Sequence, residues 1–299
     1  MSETKNIDIR VIPSTVKGSR FVAAEWEKHI QVWDMQTGLV NKVESEFDWG
    51  GNSGRIAIFE DGIHIAVGAY EKNTIALYNA ETGQCVWQRK GLRRPLTVSV
   101  LNRVQPAVCV HTEDSGSILL DKKTGETIGR IRGVELVHEN PYGAISVFGK
   151  RSSLLLVNGI DEKPIKKFFR KCFSMLDICF SNDEVFCAYA CNPLEAISLV
   201  SLMSIWEINV EGHFLDIEYC IELDTLLGVR WDYNKGGPSY LCYINAKTGK
   251  IEKEVNVGEN VITAFLCQGK FVVTNHGDVY STISGQKVKQ FDFENQKLC

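Results

Sequence analysis

The chain carries six histidines, ten cysteines and 37 acidic residues, enough to build a catalytic or metal centre if their spacing allowed it. The histidines are His29, His64, His111, His138, His213 and His276, and no two stand at a zinc-protease or zinc-finger spacing. Cys187 and Cys191 lie four apart, close to Cys179 on a neighbouring apolar run. A closed metal site needs four converging ligands, and packed thiols account for the same pattern. No G-x-S-x-G, phosphate-binding loop or G-x-G-x-x-G occurs. Acid pairs such as Asp61 and Glu81 fit solvated turns better than a glycosidase dyad. Asp177 and Asp216 are different, because they interrupt largely apolar runs. A hydrolase or lyase would depend on those two meeting a metal ion. The expectation is a protein that is not an enzyme and takes no cofactor or metal.

Recognition chemistry is better represented. Four polar stretches combine aromatic and acidic residues: VESEFDWGGNSG, AYEKN, HTEDSGS and RWDYNKGGPSY. They supply Glu46, Asp48, Trp49, Tyr70, Glu71, Glu113, Asp114, Trp231, Asp232 and Tyr233 as candidate partner-binding residues. Trp and Tyr dominate interface energetics, at about 2 kcal/mol or more per hot spot. The structural alternative is that these rings fold back over a channel. A separate run, KPIKKFFRKC, mixes Lys163, Lys166, Lys167, Arg170 and Lys171 with Phe168 and Phe169. It is either a phosphate-contacting strip with base stacking or an outer strand whose charges discourage edge pairing. A net charge of −4 favours the edge strand and argues against nucleic acid as a partner.

The 299 residues are 44% hydrophobic and 23% charged, which is ordinary for a globular protein able to bury a large core. The first ten residues, MSETKNIDIR, hold no apolar leader, and no run approaches the roughly 18 residues of a membrane span. Most cysteines sit in apolar runs such as PAVCVH, LDICF, IEYCI and TAFLC. Reduced, buried thiols in a cytoplasmic protein are therefore expected rather than a disulfide framework.

The elements that must position the candidate loops are repeated. VWDMQTG, LYNAETG, LLDKKTG and YINAKTG each end a β-branched or aromatic run in a polar residue, followed three positions on by Thr-Gly. The polar markers Asp34, Asn79, Asp121 and Asn245 are spaced by 45, 42 and 124 residues. The last spacing leaves room for two degenerate copies, SLLLVNGIDEKPIKKF and AISLVSLMSIWEINV, and a seventh copy is DVYSTISGQKVKQF. Asp or Asn bonds the backbone two residues on, and Gly supplies a positive φ before the next strand. Two further strands precede each hairpin, as in GRIAIFEDGIHIAVGAYEKNTIALYN. The flanks show partial alternation, as half-buried strands require. A period near 41 residues is that of four-stranded propeller blades, and a lone blade cannot bury both its faces. The expectation is one all-β domain spanning 1–299, a seven-bladed propeller of four antiparallel strands per blade. The blades fall roughly at 5–45, 53–90, 95–132, 133–170, 173–210, 213–256 and 260–293. The ring would close by packing blade one against blade seven.

Trp33-Asp34 at the end of a strand resembles the WD40 repeat. LYNAETGQCVW and YINAKTGKI resemble quinoprotein-type repeats, whose blades end in Thr-Gly and an outer-strand Trp, here Trp87 and similarly Trp206. No Gly-His opens a blade, so the WD40 side-chain tetrad does not carry over, and quinone binding has no support. A stand-alone acidic propeller also resembles immunity proteins of toxin systems. That resemblance implies a cytoplasmic inhibitor of a cationic, nuclease-type toxin, monomeric until it meets its partner. The alternatives are a general protein-interaction scaffold and a propeller hydrolase or lyase with a central-channel site.

Overall fold

The computed structural model describes residues 10–12, 19–26, 29–44, 56–103, 105–113, 116–141, 143–150, 153–159, 163–169, 177–183, 186–190, 193–231, 237–259, 261, 263–292, 295 and 297–298. Seven antiparallel sheets follow one another along the chain, each a simple meander. In blade one the strands a to d are Arg10–Ile12, Phe21–Trp26, His29–Asp34 and Val40–Glu44. In blade two they are Ile56–Ile58, His64–Ala69, Thr74–Asn79 and Cys85–Lys90. The repeated hairpin of the sequence is strands c and d of each blade. Strands a of neighbouring blades meet at the hub, as Asp177–Phe180, His213–Cys220 and Thr263–Leu266 do in blades five to seven. Blade seven has a short fifth strand, Lys297–Leu298, paired outside Lys287–Asp292. Among the described residues no helix is long and apolar enough to cross a membrane.

The core is a set of apolar layers between blades. Seven buried clusters each draw residues from two adjacent blades. Alternation along a strand assigns side chains to one neighbour or the other. Ile118 and Leu120 of blade three pack toward blade two, while Leu119 packs toward blade four. The exposed strands are chiefly the outer strands d, although strand a of blade three and strand c of blade seven also alternate. In blade two strands b and c are buried on both faces, so their apolar residues run nearly continuously, whereas Cys85–Lys90 alternates at the surface. The ring closes as expected, blade one on blade seven, without a shared sheet. Trp33 lies against Phe291 at 4.7 Å between ring centres, within a cluster that includes Val22, Ala24, Val273 and Val279.

The repeated turn is an Asx turn. The Lys123 and Thr124 amides donate to the Asp121 carboxylate at 2.8 and 2.9 Å, and the Glu126 amide donates to the Thr124 hydroxyl. Asn79 and Asn245 accept the same pair of bonds in their blades. Blade five keeps the geometry with Ser198 as acceptor and Leu202, at φ +56°, where the others have Gly. The turn glycines also make room for the preceding blade. A Cβ on Gly125 would stand 2.7 Å from the Trp87 ring, and one on Gly249 would stand 2.7 Å from Trp206. Each indole also donates to the turn, Trp87 to the Lys122 carbonyl and Trp206 to the Ala246 carbonyl, both at 2.8 Å. In blade six the Tyr243 hydroxyl makes the matching bond to the Thr282 carbonyl of blade seven.

One feature is invisible in the repeat. In blades two to seven the pairing of strands c and d slips by one residue just after the turn. The extra residues are Val86, Ile128, Ile165, Ile205, Glu252 and Val288, and all but Glu252 are exposed large apolar side chains. A bulge raises the twist of the strand and blunts its unpaired edge. The apolar residues there are thus accounted for by edge protection.

Candidate functional site

Two rims result from the meander. The a–b and c–d connections share one, and the b–c and d–a connections share the other. On the b–c rim, the loop after His64–Ala69 presents Tyr70 and Glu71, and its residue Asn73 adopts φ +52°. The Asn73 side chain accepts from the Arg94 amide at 2.9 Å, and its carbonyl accepts from Leu92 at 3.1 Å. These bonds fix the connection from blade two to blade three. Arg94 itself sits at φ +43°, an uncommon conformation for a residue with a Cβ. Its guanidinium lies 5.3 Å from the centre of the Tyr70 ring. It also donates to Glu113 at 3.0 and 3.3 Å. The hydrogen bond to Glu113 and the charges of Glu113 and Glu71 raise the Arg94 pKa, so it stays a cation. Three sequence candidates, Tyr70 and Glu71 from one loop and Glu113 from another, are thus gathered around one arginine of a third connection.

A second depression, of about 610 Å³, shares Glu113 and opens between blades three and four. His111, Arg130, Arg132 and Glu135 line it, with Gly116 and Gly133. Here the Ser117 hydroxyl donates to the Val134 carbonyl at 2.8 Å, and Thr97 donates to the Glu135 carbonyl at 3.2 Å. Desolvation lowers the His111 pKa, against the opposing pull of Glu135 and the Val134 carbonyl. Arg93 and Arg94 line the smaller neighbouring depression with Asn73 and Glu113.

The other candidates fall elsewhere. Trp231 ends strand b of blade six, paired with His213, away from the Arg94 group. Glu46, Asp48, Trp49, Asp114, Asp232 and Tyr233 lie outside the described residues. Sequence reasoning missed Arg93, Arg94, Arg130 and Arg132. Their signal was present as two close pairs, LRRP at the start of a strand and RIR at the end of one.

At the hub, Asp177 accepts from the Ile217 amide at 2.8 Å and Asp216 accepts from the Phe265 amide at 3.2 Å. Each carboxylate therefore ties its own innermost strand to that of the next blade. Glu139 does the same for blades four and three, accepting from the Asn102 amide at 2.7 Å. Among the described residues no three His, Cys, Asp or Glu side chains are grouped to hold a metal ion. Lys163, Lys166 and Lys167 lie exposed on or beside the outer strand Pro164–Phe169, while Phe168 turns into the layer between blades four and five. Arg170 and Lys171 lie outside the described residues. The described cysteines Cys85, Cys109, Cys179, Cys220, Cys242 and Cys267 are free thiols. Burial pushes Cys109 up to about 11 and Cys242 up to about 12, so both stay protonated and unreactive near neutrality.

The architecture defines the protein as an all-β, seven-bladed propeller. Neither a family model nor a curated protein sequence matches the chain. Among solved structures, a chain from "Crystal Structure of Mitotic Checkpoint Complex" is similar, with a TM-score of 0.71 over 92% of this chain and 91% of that one. Their sequences are 11% identical, so the likeness is one of fold. With 1365 solved chains matching, the fold is too widely shared to specify a function, and the site must carry that argument.

Proposed function

We propose that this protein is a non-catalytic interaction platform that engages a protein partner through the b–c rim of blades two to four. The observation that carries this reading is the grouping of Tyr70, Glu71 and Glu113 around Arg94 by loops fixed on a rigid ring. Arginine and tyrosine are the types that anchor interfaces, and loops held by a rigid scaffold lose little freedom on binding. The engagement of Asp177 and Asp216 in backbone bonds supports binding over channel chemistry. Free thiols, most of them buried, fit a cytoplasmic setting, with the chain a monomer until it meets its partner.

The narrower reading is an immunity protein that caps a cationic, nuclease-type toxin. It leans on Glu46, Asp48, Asp114 and Asp232, which lie outside the described residues. The described rim sets Glu71, Glu113 and Glu135 beside four arginines, which favours a partner bearing acidic groups over a purely basic one.

The test is affinity capture from the source cell's extract, followed by titration of the purified captured protein. The Tyr70→Ala/Arg94→Ala variant is expected to bind at least about tenfold more weakly than the wild type, by loss of central anchors. Val200→Ala, a change at an exposed c–d turn on the opposite rim, should bind like the wild type. Full affinity in the double variant would remove the rim assignment.

A further inference from the structure

We propose that the groove between blades three and four is a binding site for an acidic peptide strand, with Arg130 and Arg132 as its carboxylate receptors. The proposal rests on the platform reading and names the chemistry of the partner at that rim.

The residues divide into a floor, walls and charged receptors. Gly133 lines the groove without a side chain, and a Cβ there would meet nothing within 4 Å, whereas Gly116 packs so closely that a Cβ would stand 2.7 Å from the Ile131 carbonyl. His111 and Glu135 stand on facing blades, and Glu113 joins this groove to the depression of Arg93 and Arg94. Arg94 is already engaged by Glu113 and Tyr70. Arg130 and Arg132 are not engaged. Both are exposed, and among the described residues neither side chain makes a hydrogen bond or an ion pair. Two guanidiniums separated by one residue, both lining an open groove, offer ten N–H donors with no acceptor among the described residues. A guanidinium fork matches a planar carboxylate in bidentate fashion, so unpaired arginines beside a groove select that group over a diffuse negative surface.

Charge decides between a peptide and a nucleic acid. The groove also contains Glu113 and Glu135, and the whole chain carries −4. A continuous polyanion would meet those carboxylates and be repelled. A peptide places acids at intervals and offers backbone amides between them, and these amides are the donors that Glu113 and Glu135 accept.

The test is fluorescence anisotropy at low ionic strength with a labelled octapeptide of alternating Glu and Ser. Its Gln–Ser counterpart and a single-stranded oligothymidine are the comparison probes. The wild type is expected to bind the Glu peptide, at least about tenfold tighter than the Gln peptide and than the oligothymidine. Binding should weaken as salt rises to about 300 mM. Arg130→Gln/Arg132→Gln should lower affinity about tenfold. Lys163→Gln/Lys166→Gln, which removes the same charge from the outer strand of blade four, should change it less than about twofold. Equal loss in the two variants, equal binding of the Gln peptide, or tighter binding of the oligothymidine would overturn the assignment. If the Glu peptide fails while Tyr70→Ala/Arg94→Ala still releases the captured protein, the acidic-strand site falls and the platform stands.

Discussion

Replacing Trp33 with alanine is expected to lower folding stability by about 3–5 kcal/mol, among the largest losses a single substitution can cause here. Trp33 is fully buried and lies against Phe291, so it joins the first blade to the last. Every other junction links blades that are consecutive in the chain. This one joins segments some 250 residues apart, so its contacts must offset a long loop closure, although that cost grows only slowly with length. Val22, Ala24 and Met35 share the layer and are too small or too flexible to fill the space an indole leaves. Equilibrium urea unfolding measures the loss as a shift in midpoint at constant slope. Trp33→Phe keeps the aromatic contact with Phe291 and should cost less than half as much. A loss below about 1 kcal/mol for Trp33→Ala would mean that the seam is not closed by this layer.

Gly249→Ala carries the second large effect, about 2–4 kcal/mol, from two separable causes. The added Cβ would stand 2.7 Å from the Trp206 ring, which forces the indole or the turn to move, and overpacking of this kind costs about 1–3 kcal/mol. Gly249 also sits at φ +73°, where alanine is strained by about 1 kcal/mol. A double-mutant cycle separates them. Trp206→Ala alone removes a buried indole and its bond to the Ala246 carbonyl. In that background the steric component of Gly249→Ala disappears, and only the backbone component of about 1 kcal/mol remains. The measured coupling should therefore be about 1–3 kcal/mol, favourable to the double variant. Additive effects would mean that the outer-strand tryptophan does not dock on the turn of the next blade.

The fold was legible because its repeated unit carries local chemistry. Asp34, Asn79, Asp121 and Asn245 each mark a turn that the backbone cannot make as well without them. The same turn survives in blade five, with Ser198 and Leu202, because tertiary packing imposes a geometry that the local sequence only tolerates. The bulges after the turns of blades two to seven were not legible, since one extra residue in a loose period near 41 leaves no trace. Burial on both faces was also hidden. Alternation along Ile118, Leu119 and Leu120 sends residues to two different blades, and both destinations are apolar.

The site was legible in part, for a different reason. Tyr70, Glu71 and Glu113 stand out as aromatic and acidic residues in polar loops, and topology alone places such loops on one rim. Arg93 and Arg94 were passed over because a basic pair in a short connection also describes a solvated surface. What separates the two cases is three-dimensional: the Asn73 bond that holds the Arg94 backbone, and the Glu113 carboxylate from a neighbouring blade. Asp177 and Asp216 illustrate the converse. A carboxylate in an apolar strand looks chemical in sequence, yet the geometry gives it a backbone amide of the next blade to hold.

The most direct measurement is hydrogen–deuterium exchange of the protein alone and in complex with its captured partner. Exchange is expected to slow at residues 70–73, 91–94, 111–113 and 130–135, with the opposite-rim turns at 79–84, 121–126 and 245–250 unchanged. Protection confined to those turns or to the hub strands, with the Arg94 rim exchanging as in the free protein, would contradict the rim assignment.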